Sequence, residues 1–305
     1  MTGQRDFHIV RLSHVAVNVT DLERSARFYQ DTLGFVEGST AKGLDPGPDT
    51  VLGKPFRRLF LTLGAQGLEL TQWVPPGRPY PPASRANDLW FQHFAIVSRD
   101  IARAHLRLAG TGVTPITTAG PQTLPPTSGG VTAYKFRDPD GHPLELLQFS
   151  GPAAMAAADT AINTGIDHTA LSIGPGDESI TFYRHVLGLS QVSTQENTGP
   201  AQDRLDALPH TAVQVTALTS AQKTPHLELL CYRTPRGRPR PSAANIRDVA
   251  ASRTVFQVDR LPGLLAALVS HRAHSAASAG ETLSASNRMA LVRDPDGHLL
   301  VFEQT

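Results

Sequence analysis

The sequence predicts an α+β protein of four βαβββ units, arranged as two tandem domains with curled mixed sheets. The main observation is that two long motifs occur twice. RDPDGHPLELLQF at 137–149 returns as RDPDGHLLVFEQ at 293–304, and LSHVAVNVTDLERSARFYQDTLGF at 12–35 returns as IDHTALSIGPGDESITFYRHVLGL at 166–189. A further observation is that short segments with a hydrophobic period of two surround one helical segment in each unit.

The first unit shows how each element is predicted. LSHVAVNV alternates as a half-buried strand does. Thr20 and Asp21 are both candidate N-caps for a helix over LERSARFYQDTLG, and Gly34 ends that helix. RRLFLTLG and GLELTQWV follow as two strands, joined by a glycine-containing turn around 65–67.

The second unit has the same order of elements. WFQHFAIV is its first strand, IARAHLRLAG its helix, and VTAYKFR with HPLELLQF its closing hairpin. The Asp140–Gly141 pair is a strong turn signal for that hairpin. In the two DPDGH motifs, His142 and His298 are expected to be exposed. The aspartates of these motifs are expected to form turns rather than bind calcium: Asp138, Asp140, Asp294 and Asp296.

The repeat also predicts the domain boundaries. Residues 150–165 are small, polar and rich in alanine, which is typical of a linker. We therefore predict one domain over 8–150 and a second over 163–305. The proline-rich segment 73–88 has a counterpart at 232–248.

Composition narrows the possible partners and location. The 305 residues contain 28 Lys and Arg against 27 Asp and Glu, which does not suggest a nucleic-acid or anionic-membrane partner. A single cysteine, Cys231, rules out an internal disulfide framework. No apolar run is long enough for a membrane span or a signal peptide. We expect a cytoplasmic protein, monomeric or homodimeric, that acts on a small molecule.

A His and a Glu recur in each unit of the first half, and together they suggest a metal site. His14 and His93 lie in opening strands, and Glu69 and Glu145 lie among apolar neighbours in closing strands. A carboxylate buried there without a partner would be costly, and a divalent cation would remove that cost for both. Two imidazoles and two carboxylates suit Zn, Ni, Co, Mn or Fe(II) and leave room for a substrate. We predict one such ion.

The second half differs from the first at one of these positions. When the two copies are compared, His14 pairs with His168, Glu69 with Glu228 and Glu145 with Glu303, but Arg253 stands where His93 would be. A guanidinium stays protonated and cannot ligate a cation, although it could pair with a carboxylate. We therefore predict a metal site within 8–150 and a degenerate site within 163–305.

The chain resembles the vicinal oxygen chelate superfamily, which includes glyoxalase I, extradiol dioxygenases and bleomycin-resistance proteins. The resemblance rests on the opening motif from His14 to Phe35 and on the two DPDGH closings, and it covers nearly the whole chain. It implies that two βαβββ units pair into a cup around one metal ion. It also implies that His14, Glu69, His93 and Glu145 match the His/Glu/His/Glu ligands of glyoxalase-like proteins.

The resemblance suggests a lyase or isomerase that acts on vicinal oxygens through a metal-stabilised enediolate, with Glu69 or Glu145 as the base. Asn18, Trp73 and Tyr134 are candidate pocket residues, and the loops 38–56 and 73–88 are candidate lids. Glyoxalase I usually has an arginine four residues after its first ligand histidine, to grip glutathione. Here that position is Asn18, which argues against glutathione.

Two alternatives remain open. The first is an extradiol-type dioxygenase with Fe(II) held by His14, His93 and Glu145. In relatives of that kind the iron typically lies in the C-terminal half, which here has lost a ligand. The second is a non-enzymatic binder of a small molecule such as an antibiotic, which would need no metal.

Overall fold

The computed structural model describes residues 5–38, 56–150, 161–241, 245–274 and 280–305. Within them the four units occur in the predicted order, and the predicted α+β class with two mixed sheets is confirmed. Residues 151–160 of the predicted linker and nearly all of the predicted lid at 38–56 lie outside these ranges. No helix in the described ranges is long and apolar enough to cross a membrane.

Among the described residues, the first two units contain nine strands and two short α-helices. Unit one consists of β1 (Ile9–Asn18), α1 (Leu22–Arg27), β2 (Val36–Glu37), β3 (Phe56–Leu63) and β4 (Gln66–Trp73). Unit two consists of β5 (Gln92–Ser98), α2 (Ile101–Arg107), β6 (Thr114–Pro115), β7 (Gln122–Thr123), β8 (Thr132–Arg137) and β9 (Pro143–Gln148).

The last two units repeat the pattern, with one additional helix. Unit three consists of β10 (Asn163–Ile173), α3 (Glu178–Thr181), β11 (Ser190–Thr198), α4 (Pro200–Asp206), β12 (Ala212–Thr219) and β13 (His226–Thr234). Unit four consists of β14 (Arg253–Val258), α5 (Leu261–His274), β15 (Glu281–Ala285), β16 (Met289–Arg293) and β17 (Leu299–Gln304).

Local signals explain the first helix well. The side chain of Asp21 accepts a hydrogen bond from the backbone N–H of Arg24 at 2.8 Å, so Asp21 rather than Thr20 is the N-cap. The helix continues as one π-helical turn over Phe28–Thr32. Gly34 then adopts φ +86°, a conformation that costs glycine little.

Each sheet combines one unit from each half of the chain. Sheet I joins units one and four in the order β15-β16-β17-β14-β1-β4-β3-β2. Sheet II joins units three and two in the order β11-β12-β13-β10-β5-β9-β8-β6, with β7 pairing to β8. The opening strands pair antiparallel at the centre of each sheet, β1 with β14 and β10 with β5. The expectation that the two units of one half share a sheet is therefore wrong.

Two proline-rich connectors carry the chain between the sheets and lie against each other. Arg78 of the first connector donates to Asp248 of the second, and Arg238 of the second donates to Asp88 of the first, each at 2.6 Å. A Cβ atom on Gly77 would lie 2.2 Å from the carbonyl oxygen of Arg247, so only glycine allows this approach. Segment 73–88 is thus a packed connector, and none of its residues lines the large cavity of sheet II.

The helix-facing sides of the sheets form cores that follow the halves of the chain. One core is drawn mainly from units one and two, with Val15, Tyr29 and Phe94 among its members. The other is drawn mainly from units three and four. The opposite face of each sheet is concave toward its own cup, so each half shares a core while each cup needs both halves.

The DPDGH motifs are buried, and the expectation that their histidines are exposed is wrong. His142 and His298 are each 1% exposed. Asp138 accepts from the Nδ1 of His142 at 3.0 Å and from the hydroxyl of Tyr29 at 2.8 Å. Tyr183 donates to Asp294 in the same way. The repeated motif therefore ties the helical segments of units one and three to the closing hairpins of units two and four, because the sequence places a tyrosine at the same point of those two segments.

We predict that Tyr29→Phe lowers the free energy of unfolding by about 1–3 kcal/mol, because it removes a buried hydrogen bond to a carboxylate. Urea denaturation followed by circular dichroism measures the change. Tyr134→Phe is the matched control, because the Tyr134 hydroxyl makes no hydrogen bond within the described residues and is not a buried unpaired group. Equal losses for the two variants would contradict the prediction.

Candidate functional site

Strand register in sheet II brings four candidate ligands onto one face. On β5 and β9, Ala95 is paired with Glu145. Ala95 follows His93 by two residues, so His93 and Glu145 lie near each other on the same face of the sheet. The same offset recurs on β10 and β13, where Ala170 is paired with Glu228, two residues after His168. Because β5 and β10 are antiparallel neighbours with His93 opposite Ala170, the two His/Glu pairs face each other.

The four side chains lie close together and are largely buried. His93 Nε2 is 2.8 Å from Glu145 Oε2. His168 Nε2 is 3.8 Å from the same oxygen and 3.6 Å from Glu228 Oε2. The donor atoms of His93, Glu145 and His168 all lie within 4.8 Å of one another. Two ligands of one tetrahedral Zn²⁺ with bonds of about 2.1 Å would be about 3.4 Å apart, which is close to the two distances from His168 Nε2.

Asp167 orients His168 for ligation. Its Oδ2 lies 2.9 Å from His168 Nδ1, which directs Nε2 toward the two glutamates. Nε2 is buried and makes no hydrogen bond with any described residue. Burial alone would lower the pKa of His168, but Glu228, Asp167 and Glu145 raise it well above its usual value. The cluster therefore attracts positive charge, either as a proton on His168 or as a metal ion that displaces that proton.

Lys135 keeps Glu145 ionised. The two residues are directly opposite on β8 and β9. Burial would raise the pKa of Glu145, but Lys135 and the histidines hold that pKa well below its usual range. By contrast, burial lowers the pKa of His93, despite its hydrogen bond to Glu145. A neutral imidazole and an ionised carboxylate are the forms that bind metals.

The cluster opens into a cavity of about 460 Å³. His226 also lines the cavity, and its Nε2 is 3.5 Å from Glu228 Oε1. Its sides are mainly apolar and come from units two and three, including Leu124, Leu147 and Val215. A volume of this size fits a small organic molecule.

The equivalent cup of sheet I has a different composition. His14 and Glu69 occupy the positions of His168 and Glu228, because Ala16 is paired with Glu69 in the same parallel register. Arg253 occupies the position of His93, opposite Ala16. Its guanidinium is buried and lies 3.6 Å from Glu69.

The fourth ligand position of sheet I is also lost, and it is not held by Glu303. Val255 on β14 is paired with Val301 on β17, as Ala95 is with Glu145 in sheet II. Matching Glu145 with Glu303 was therefore wrong by two residues. The repeated DPDGH motif already carries the correct match, since aligning it without gaps places Val301 at the Glu145 position.

A network of charged and polar side chains surrounds Glu69 in the cup of sheet I. Arg253 donates to Asn18 Oδ1 at 2.7 Å and to Thr71 Oγ1 at 2.8 Å. Burial would raise the pKa of Glu69, but Arg253, followed by His14 and Arg58, lowers it. Burial lowers the pKa of His14 to about 4, so this imidazole is neutral at pH 7.

The structure thus does not assemble the predicted ligand set. His93 and Glu145 lie in sheet II, whereas His14 and Glu69 lie in sheet I beside Arg253. His93 and Glu145 therefore do not face His14 and Glu69, because opening strands pair across the halves. Comparing the two halves of the chain matches His168 and Glu228 to ligand positions, but it does not show which units pair.

The predicted pocket residues are also placed differently. Asn18 and Trp73 lie in the cup of sheet I, where Trp73 Nε1 donates to Asn18 Oδ1 at 3.0 Å. Tyr134 packs in the helix-side core. Its neighbour Lys135 faces the cavity of sheet II instead. A lysine flanked by apolar residues, in a strand next to the glutamate strand, was the sequence signal for this site residue.

Comparisons with known proteins agree with this fold. The model of the Glyoxalase/Bleomycin resistance protein/Dioxygenase superfamily matches residues 11–146 and 165–302. Lactoylglutathione lyase GLX1 of Arabidopsis thaliana is 27% identical over 186 residues, which are 59% of this chain and 55% of that protein. A probable chloroplastic lactoylglutathione lyase of the same plant is 26% identical over 192 residues, which are 61% of this chain and 47% of that protein. This chain therefore aligns with about half the length of these curated relatives.

Solved structures show the same overall architecture. Glyoxalase I from Zea mays superposes with a TM-score of 0.64 at 19% identity, covering 98% of this chain and 92% of that one. A putative dioxygenase from Bacillus subtilis superposes with a TM-score of 0.57 at 13% identity, covering 97% and 86%. At these identities the likeness concerns the fold.

We predict that Arg253→Met lowers the free energy of unfolding at pH 7 by about 3–5 kcal/mol, because it leaves the buried Glu69 without its main counter-charge. The wild-type pKa of Glu69 is depressed below 4.5. Its contribution to stability is therefore present above that pH and is lost as pH falls through the depressed value. The difference between variant and wild type should shrink toward pH 4, when Glu69 of the variant becomes protonated.

Guanidinium unfolding at pH 7 and pH 4 measures this effect. The double variant Glu69→Gln/Arg253→Met is the control, and it should recover most of the lost stability because the buried carboxylate and the guanidinium are removed together. A single variant that loses the same free energy at both pH values would contradict the charge argument.

Proposed function

Because the chain belongs to the Glyoxalase/Bleomycin resistance protein/Dioxygenase superfamily, we propose that it is a metal-dependent, glyoxalase-like lyase or isomerase. The observation that carries this proposal is the buried cluster of two histidines and two glutamates in sheet II: His93, Glu145, His168 and Glu228. These residues are supplied by both halves of the chain and open into a cavity that fits a small substrate.

The residues of the cluster fit a divalent cation. The unpartnered Nε2 of His168 faces two carboxylates at distances too long for hydrogen bonds. Mixed nitrogen and oxygen donors suit Zn, Ni, Co, Mn or Fe(II). His93, Glu145, His168 and Glu228 would hold the ion. When bound, it would act as a Lewis acid toward two neighbouring oxygens of the substrate.

The two glutamates have different surroundings, which suggests different roles. The Glu145 side chain is 8% exposed and bonded to His93, so it serves as a fixed ligand. The Glu228 side chain is 20% exposed and lies between His168 and His226. Glu228 can therefore reach a bound substrate, accept the proton of the hydroxyl-bearing carbon next to its carbonyl group, and return that proton to the carbonyl carbon, while the hydroxyl proton passes to the former carbonyl oxygen.

The substrate proposed is a small molecule with vicinal oxygens. Two relatives are named lactoylglutathione lyases, which makes hemithioacetals of 2-oxoaldehydes the first candidates. The position four residues after the ligand histidine of unit three is Ser172, which is buried and donates to the Ala86 carbonyl at 2.7 Å. Neither the strand of His14 nor that of His168 has the arginine that the family resemblance associates with glutathione. A substrate made with a different thiol, or with no thiol, therefore fits this site better than a glutathione adduct.

A dioxygenase is the second candidate, and one observation favours it. His93, Glu145 and His168 form a compact cluster of two imidazoles and one carboxylate, which is the ligand set of many Fe(II) oxygenases. Under this alternative, Glu228 would not ligate. Iron in the purified protein together with oxygen uptake on catechols would establish it and exclude the isomerase.

We predict that the purified protein binds about one divalent metal ion per chain, as expected for a single catalytic centre. His93→Ala and His168→Ala should each lose most of the metal, because each removes a ligand. His14→Ala, the matched change in sheet I, should retain it. Elemental analysis after dialysis measures the stoichiometry. Two ions per chain, or metal loss in His14→Ala, would show that the cup of sheet I binds metal.

We predict that Glu228→Gln, assayed at the same metal content as wild type by elemental analysis, lowers kcat for isomerisation of methylglyoxal hemithioacetals by about 10²–10⁴-fold, because an amide cannot act as the base. Assays with glutathione and with 2-mercaptoethanol as the thiol test whether the thiol matters. Glu69→Gln, the equivalent change in sheet I, should leave kcat within about twofold of wild type. If both variants lose activity equally, Glu228 has no special role.

A further inference from the structure

The cavity of sheet II has a second polar region, which the metal cluster does not use. It belongs to unit three and consists of Asn197 at the end of β11 and Gln202 and Asp206 on α4. All three residues are buried, and Asn197 and Gln202 line the cavity.

Hydrogen bonds fix the orientation of the Gln202 amide. Asp206 accepts from Lys135 Nζ at 2.6 Å, from Tyr232 at 3.0 Å and from Gln202 Nε2 at 2.6 Å. A carboxylate held by Lys135 can only accept, so the NH₂ group of Gln202 must face it. The Oε1 atom is therefore the end that is left for another partner.

Two acceptors in this region have no partner among the described residues. Gln202 Oε1 and Asn197 Oδ1 are both buried and make no hydrogen bond there. Buried polar atoms are nearly always hydrogen-bonded in folded proteins, and an orphan at a cavity wall requires a donor from a ligand or from water.

This region lies close to the proposed metal centre. Lys135, which binds Asp206, is directly opposite Glu145 on the neighbouring strand. The rest of the lining is mixed: Leu205, Val213 and Leu230 are apolar. The other lysine of the lining, Lys223, is exposed and follows Thr219, at the opposite end of β12 from the Val213 that pairs with Asn197. One small molecule can thus contact both the cluster and the two amide oxygens.

We propose that the substrate carries neutral O–H or N–H donors on its tail, such as a hydroxyl or primary amide, which bind Gln202 Oε1 and Asn197 Oδ1. Its vicinal oxygens face the His/Glu cluster, so this inference rests on the proposed function. A methyl-ended tail leaves both oxygens unpaired. A carboxylate-ended tail sets negative charge against two acceptors, next to an Asp206 whose charge Lys135 already balances.

Three hydroxamates of equal length test this inference on the full chain loaded with Zn²⁺. Their vicinal oxygens chelate the metal, and their tails end in a primary amide, a methyl group or a carboxylate. Isothermal titration calorimetry should show the amide-ended compound binding about tenfold more tightly than the methyl-ended one. The carboxylate-ended compound should bind most weakly.

Substitutions test whether Gln202 and Asn197 cause the preference for the amide-ended compound. Gln202→Met keeps the side-chain length but removes the acceptor, and Asn197→Leu does so at the second position. Each should reduce the preference for the amide over the methyl tail to about threefold or less, while affinity for the methyl-ended compound is retained. Gln191→Met on the exposed part of β11 is the matched control and should keep the full preference.

The outcomes separate this inference from the proposed function. Equal binding of the three hydroxamates by wild type would show that water alone serves the two oxygens, and would overturn the inference. So would tightest binding of the carboxylate-ended compound, or a preference unchanged in both cavity variants. A wild-type protein that takes up no Zn²⁺, or binds none of the hydroxamates, would instead overturn the proposed metal centre.

Discussion

The antiparallel pairing of opening strands across the two halves is the constraint on which the candidate site depends. Each opening strand carries the His or Arg of its unit, so the pairing decides which two of these side chains face one cup. Pairing β10 with β5 sets His168 against His93, while pairing β1 with β14 sets His14 beside Arg253. Reciprocal Arg–Asp pairs join the two connectors that lead into these strands.

The two cups offset the charge of a buried glutamate in different ways. Each contains a glutamate from a closing strand, whose burial must be offset by positive charge. In sheet I the charge is Arg253, which is covalently part of the chain and donates to Asn18 and Thr71. In sheet II the nearest cation, Lys135, is bound to Asp206, and His168 presents an unpartnered nitrogen to Glu145 and Glu228. A built-in cation stabilises a fixed structure, whereas the cluster of sheet II suits an exchangeable ion.

Local physical rules explain why some features were predictable. The alternation in β1 correctly predicts that His14 and Asn18 share a face, and the Asp-Gly signal correctly predicts the hairpin at Gly141, which has φ +97°. The same reasoning failed for His142, because burial of that turn depends on Tyr29 and on the second connector. The same reasoning also placed Tyr134 rather than Lys135 at the cavity. Alternation defines two faces of a strand but does not show which face packs against the core.

The sequence by itself determined the repeating unit, the identity of the His and Glu positions, and the fact that Arg253 breaks the pattern. These follow from short-range periodicity and from comparing copies within the chain. Only the tertiary structure decided that His93 and Glu145 join His168 and Glu228. The physical reason is that all four opening strands offer the same backbone hydrogen-bonding edge and similar apolar faces. Nothing local distinguishes one partner from another, and the choice is made by long-range contacts between connectors and by the cores that the two halves bury.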